Sequence, residues 1–144
     1  MPGILVGIDG SAHSQLALEW AAKEAALRQT SLTVLTVHQA VAGFWGGTLR
    51  FEGDEALVDK ARQAAQAETD KVVGGLGDAR PTSVTVKATE AIPAEAILEE
   101  GADADMIVLG SRGSGGFARL LLGSVSATVV EHAQVPVTIL PSHH

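Results

Sequence analysis

Glycines crowd the stretch Met106 to Ser126, MIVLGSRGSGGFARLLLGSVS, at Gly110, Gly113, Gly115, Gly116 and Gly123. It opens on an apolar run, Met106 to Leu109, and a helical pattern resumes after Ser124, so it reads as strand, glycine-rich loop, helix. Glycine tolerates φ > 0 and lets backbone approach a ligand closely, while the N–H groups that open the following helix point at an anion. The ligand suited to that arrangement is a phosphate. The plainer alternative is a flexible crossover turn in which Ser124 is only a helix N-cap. No lysine follows the glycines, as a Walker A loop requires, and the spacing is not the tighter G-x-G-x-x-G of dinucleotide binders.

A loop of this kind works only if a sheet presents it. Ile4 to Ile8 is almost continuously apolar, as in a strand covered on both faces, and ends in the polar turn Asp9, Gly10, Ser11. Ser11 is placed to N-cap a helix from about Ala12 to Arg28, whose Leu18, Ala21, Ala22 and Ala25 keep the spacing of one buried face. Leu32 to His38, rich in Val and Thr, is a second strand. Gln39 to Gly53 is a long excursion carrying Phe44, Trp45 and Phe51, which suits either a lid that stacks on a base or a small apolar cluster under a loop.

Asp54 is placed to cap a long helix to about Leu76, stopped by Gly74, Gly75 and Gly77, with Leu57, Ala61, Ala64, Ala65 and Val72 expected toward the sheet and Lys60, Glu68 and Lys71 toward water. Val84, Val86 and Ala88 alternate with polar residues, the pattern of a strand with one wet face near a sheet edge. Pro93 suits the first turn of a short helix, Ala94 to Glu100. Met106 to Leu109 is a fourth strand, Val125 to Ala133 a helix, and Val137 to Leu140 a last strand between Pro136 and Pro141. Five strands alternating with four helices predict a single α/β domain, a parallel sheet with right-handed crossovers. The burial pattern favours the strand order 3-2-1-4-5, with the reversal, where open α/β sheets bind ligands, between strands one and four. Those strands end in Asp9 and Gly110.

Composition removes several other functions. A formal net charge of −7 with no basic cluster argues against nucleic acid and anionic membrane as partners. The absence of cysteine excludes disulfides, thiolate metal sites and cysteine nucleophiles. Hydrophobic residues are 46% of the chain but aromatics only 3%, so the core must be Ala, Val, Leu and Ile. No apolar run is long enough for a membrane span, and the opening enters a strand directly, which leads us to expect a cytoplasmic protein.

The spacing then narrows the reading. Gly110 and Gly113 are followed, after the nine residues Ser114 to Leu122, by Gly123 and Ser124, a G-x-x-G-x9-G-[S/T] pattern that resembles the nucleotide signature of the universal stress protein family. VGIDGS, PAEAIL, DMIVLGSRG, LLLGSVS and VPVTIL extend that resemblance over nearly the whole chain, as one such domain from 1 to 144. It implies a Rossmann-like, adenine-nucleotide-binding sheet with helices on both faces, and a stress-response regulator that binds ATP with at most slow hydrolysis. Gly110 and Gly113 would hold ribose and phosphates, and Gly123, Ser124, Val125 and Ser126 the phosphate tail. Val37 would meet the adenine edge, Ile8 and Asp9 would line the base and ribose side, and Leu109 would border the site. The family usually has glycine where this chain has Ala91, two residues before Pro93, and by that resemblance the added methyl would narrow the adenine side.

Asp9 is also the candidate ligand for Mg²⁺ or Mn²⁺, since such ions are held by one or two carboxylates plus phosphates, though an Asp closing a strand also serves as a turn former. Arg112 and Arg119 are candidates to neutralise phosphate or to stay solvated, His13 reads as a surface histidine, and His38 ends a strand near the site. No Ser/His/Asp order, paired carboxylates or lysine near the phosphates supports catalysis. The competing function is a non-enzymatic interaction protein of the same fold that binds cyclic AMP or no nucleotide. Val137 to Leu140 carries no charge and would lie at a sheet edge, so a homodimer that pairs this strand with itself is expected, as the resemblance also implies.

Overall fold

Val, Ile and Leu fill the short runs that the sequence marks as strands, and all of those runs join one sheet. The computed structural model describes residues 3–39, 41–42, 48–49, 54–111 and 123–141. Strand β1 (Gly3–Ile8) leads through helix α1 (Ala12–Arg28) to β2 (Ser31–Gln39), and the chain then forms a small antiparallel pair, β3 (Val41–Ala42) with β4 (Thr48–Leu49). Helix α2 (Asp54–Gly74) returns to β5 (Val84–Ala91), α3 (Pro93–Glu100) to β6 (Met106–Gly110), and α4 (Ser124–His132) to β7 (Val137–Leu140). The sheet order is β5-β2-β1-β6-β7. All four pairings are parallel. This is the expected 3-2-1-4-5 arrangement once the hairpin is set aside. The hairpin within Gln39 to Gly53 escaped the sequence reading because two-residue strands carry no periodicity.

Each face of the sheet has its own core. Ile4, Val6, Ile8, Leu32, Val34, Met106 and Val108 pack beneath α1 and α2, against Ala17, Leu18, Ala21, Ala22, Ala25 and Ala65. Leu5, Leu35, Ile107 and Leu109 point the other way, to Ala94, Ala96 and Ile97 of α3 and Val129 of α4. The alternation explains why β1 and β6 lack polar residues: both faces are covered. Full burial of a side chain the size of Ile4, Leu32 or Ile107 contributes about 1.5–3 kcal/mol. Packing is close enough to fix residue size. A Cβ on Gly7 would come within 2.9 Å of Leu109 Cδ2 and 3.2 Å of Ile97 Cδ1, so glycine lets α3 settle on β1.

Several local expectations change. Leu57 and Ala64 of α2 face solvent. Ala65 and Thr69 are the buried positions, and the Thr69 hydroxyl is satisfied by the Ala65 carbonyl at 2.7 Å. Glu68, expected toward water, is half-buried. The alanine-rich pattern left the phase of this helix ambiguous, because small residues are tolerated on either face. Ser124 is the first residue of α4 and Gly123 its N-cap, so Ser124 is not the cap, and the helix ends at His132. Asp54 is the first residue of α2 and not its cap, Gly74 belongs to the helix, and the turn that follows carries Gly77 at φ 69°.

Candidate functional site

The sheet reversal lies between β1 and β6. In register, Ile4 pairs with Met106 and Val6 with Val108, which sets Ile8 level with Gly110. On the other side Ile8 pairs with Thr36, so Asp9 and Val37 both stand one residue further toward the carboxyl end. Asp9, Val37 and Gly110 thus gather at one end of three neighbouring strands. Their side chains do not share a face. Ile8 is buried beneath α1 and α2, whereas Val37 and Leu109 belong to the core under α3 and α4. Ile8 and Leu109, each almost fully buried, therefore offer this end mainly their backbones.

Asp9 opens a turn that the sequence specifies atom by atom. Its Oδ1 accepts from Ser11 N–H at 2.9 Å, and its own N–H donates to Ser14 Oγ at 3.2 Å. Ser11 caps α1 by accepting from Ser14 N–H at 3.2 Å, and the Ser14 hydroxyl donates to the Ser11 carbonyl at 3.0 Å. Gly10 takes φ 83°, which allows the sharp entry into α1. The expected cap is thus present, and Ser14, overlooked in the sequence, locks it. The turn-forming role of Asp9 is observed directly, and it fixes the orientation of the carboxylate.

Burial, and second the charge of Asp9, raise the Glu68 carboxyl above its ordinary value of 4.5. A second acid from α2 therefore feels the Asp9 charge, which sequence spacing could not indicate because the two residues are far apart in the chain. Among the described residues no group of three or more His, Asp or Glu could hold a metal ion. His13, read as a surface residue, is half-buried at the start of α1, with its backbone against Gly110. His38 is half-buried near the end of β2. Ala91 ends β5 and packs on the α3 side core.

Beyond Gly110 the structure describes Ser111 and resumes at Gly123. Gly123 N–H donates to the Ser111 carbonyl, bringing the two ends together. Gly123 has φ −71° and ψ 167° and supplies no side-chain cap. The first intrahelical bond of α4 is Ala127 N–H to the Gly123 carbonyl at 2.9 Å, so the N–H groups of Ser124, Val125 and Ser126 precede the helical ladder. Ser124 is exposed, Val125 half-buried and Ser126 buried. Gly113, Gly115, Gly116, Arg112 and Arg119 lie outside the described residues, as do Phe44, Trp45, Phe51, Phe117, His143 and His144.

One family matches nearly the whole chain. Residues 2–141 match the profile of the universal stress protein family. The chain belongs to that family. A universal stress protein of Mycobacterium tuberculosis is 36% identical over 149 residues, covering 97% of this chain and 48% of its own length. One from Mycolicibacterium smegmatis is 33% identical over 139 residues, covering 96% and 47%. The chain thus spans about half the length of these relatives.

Solved structures share the fold. Universal stress protein UspA from Lactobacillus plantarum has a TM-score of 0.73 at 23% identity, covering 96% of this chain and 97% of its own. A universal stress protein in complex with cAMP has a TM-score of 0.68 at 24% identity, covering 97% and 96%. The universal stress protein from Archaeoglobus fulgidus in complex with dAMP has a TM-score of 0.61 at 22% identity, covering 96% and 97%. The chain therefore has the universal stress protein fold, a five-stranded parallel sheet with helices on both faces. Among the described residues no helix is long and apolar enough to cross a membrane.

Proposed function

We propose that this universal stress protein binds an adenine nucleotide, ATP in preference to cyclic AMP, and acts as a stress-response regulator in the cytoplasm with at most slow hydrolysis. The observation that carries the reading is the start of α4: a glycine cap without a side chain, three N–H groups ahead of the helical ladder, and a position beside the reversal of strand order. Such a helix start favours a phosphate through its N–H groups and its positive dipole end. Gly110, Gly113, Gly123, Ser124, Val125 and Ser126 would hold ribose and phosphates. Ile8, Asp9, Val37 and Leu109 would border the base and ribose, with Ala91 narrowing the adenine side. The cAMP and dAMP complexes of two proteins of this fold support an adenine ligand.

Mg²⁺ or Mn²⁺ would arrive with the phosphates. Asp9 is a fitting single carboxylate for it, since such ions are commonly held by one or two carboxylates plus phosphate oxygens. The ion would neutralise phosphate charge. Asp9 would orient it, its carboxylate being already steered by Ser11 N–H. We further propose a homodimer through β7, whose position at the sheet edge leaves one side of its backbone without a strand partner among the described residues. The alternative function, a dimeric interaction protein that takes cyclic AMP or no nucleotide, is separated by one experiment. Mass spectrometry of ligand released from freshly purified protein, followed by calorimetric titration with ATP and cyclic AMP, should find ATP released and bound more tightly. Released cyclic AMP, or no binding of either, would overturn the reading.

A further inference from the structure

Ser126 occupies the third position of α4 and is 3% exposed. Its hydroxyl lies 3.1 Å from the Gly123 carbonyl, an ordinary contact for a serine in the first turn of a helix. It also lies 3.2 Å from the carbonyl of Ser111, just past the end of β6. The Ser111 carbonyl additionally accepts from Gly123 N–H, and the Ser111 N–H donates to the Leu140 carbonyl at 2.9 Å. Ser111 is itself 5% exposed. One buried residue, Ser111, thus ties the end of β6 to the start of α4 through its carbonyl and to the end of β7 through its N–H.

We infer that Ser126 is a positioning residue: its hydroxyl fastens the first turn of α4 to Ser111 and so sets the direction of the N–H groups that would meet a phosphate. This rests on the nucleotide reading given above. The chemistry of the hydroxyl supports it, because a serine has one O–H to donate. That hydrogen is shared between two carbonyls, and an ionised phosphate oxygen can only accept. Ser126 therefore serves a phosphate through its backbone N–H, with the side chain holding the helix start in place.

Two measurements on the full chain test this. Hydrogen exchange in the nucleotide-free protein reads the Gly123 N–H, and calorimetry reads ATP affinity. Ser126→Ala should speed exchange at Gly123 and weaken ATP binding by about fivefold to tenfold, the scale of one lost hydrogen bond, while Ser126→Thr, which keeps a hydroxyl, restores both. Weakened binding with unchanged exchange would make the hydroxyl a direct ligand contact and overturn the proposal. Faster exchange with unchanged affinity would reduce it to a structural tie and overturn it equally. Wild-type protein that binds no adenine nucleotide would overturn the underlying reading instead, and is told apart because the exchange difference between wild type and Ser126→Ala would remain.

Discussion

A Cβ on Gly110 would stand 2.8 Å from the carbonyl oxygen and 3.0 Å from the carbonyl carbon of His13, so the end of β6 passes directly against the first turn of α1. Backbone on both sides leaves no flexible side chain to move aside. Glycine is needed there for packing before any ligand is considered. Gly110→Ala is expected to destabilise the protein by about 1–3 kcal/mol, the range for overpacking, in urea unfolding without nucleotide. Unchanged stability would mean that α1 moves freely from the sheet, contrary to its buried Ala17, Leu18 and Ala21.

Gly123 answers a different question. Its φ of −71° and ψ of 167° are open to any residue, so no unusual backbone shape requires glycine. Gly123→Val should therefore fold, and on the proposed reading should lose ATP binding because a branched side chain would stand where the phosphates would approach. Titration of the folded variant checks this, and retained affinity would remove the helix start from the site.

Ser124→Ala separates ligand from cap. Ser124 is exposed at the first helical position and does not cap α4, so its loss should change stability by less than about 0.5 kcal/mol. A hydroxyl that donates to a phosphate contributes about 1.5–3 kcal/mol, so ATP affinity should fall at least tenfold. A lower melting temperature with intact binding would assign Ser124 to the fold alone.

Glu68 should make stability depend on pH. Its carboxyl is raised by burial first and by Asp9 second, so the folded protein keeps a proton there in a window just above pH 4.5 that the unfolded chain has already released. The folded state is favoured most below that window and loses the advantage as pH rises through it. Glu68→Gln should accordingly raise the melting temperature slightly at pH 7 and not at pH 4. The effect should stay below about 0.5 kcal/mol because solvent screens a half-exposed group. An equal gain at both pH values would show that titration is not the cause.

Sequence alone carried the sheet because its signals were local and redundant. The runs Ile4 to Ile8 and Met106 to Leu109 could only be doubly covered strands, and Ser11 after Asp9 marked the start of α1 to the residue. It failed where side chains are small or contacts are remote. The phase of α2 was blurred by alanine, leaving Leu57 on the wrong side, and the influence of Asp9 on Glu68 crosses two elements. At the candidate site, glycine spacing pointed to the carboxyl end of β6 but not to the packing contacts of its members. That Gly110 packs on His13 and that Ser126 bonds to Ser111 are consequences of tertiary approach, which no spacing encodes.

The edge strand gives the last prediction. Pro136 and Leu140 turn their carbonyls to Ile107 N–H and Ser111 N–H, at 2.9 Å each. In a parallel pair these orientations alternate, so Thr138 also faces β6, while the N–H and C=O of Val137 and Ile139 face outward. Thr138 is further held inward by its hydroxyl, 3.2 Å from Met106 Sδ. A proline at Thr138 would break the inner ladder and prove little about assembly. Ile139→Pro instead removes an outward donor, which a solvent-facing edge tolerates and a second strand paired there does not. If β7 pairs with its own copy, light scattering after size exclusion should show a wild-type dimer and an Ile139→Pro monomer. The melting temperature, followed alongside, reports the separate loss of Ile139 packing. A wild-type monomer across the micromolar range would refute the dimer, and a folded variant that stays dimeric would move the interface away from β7.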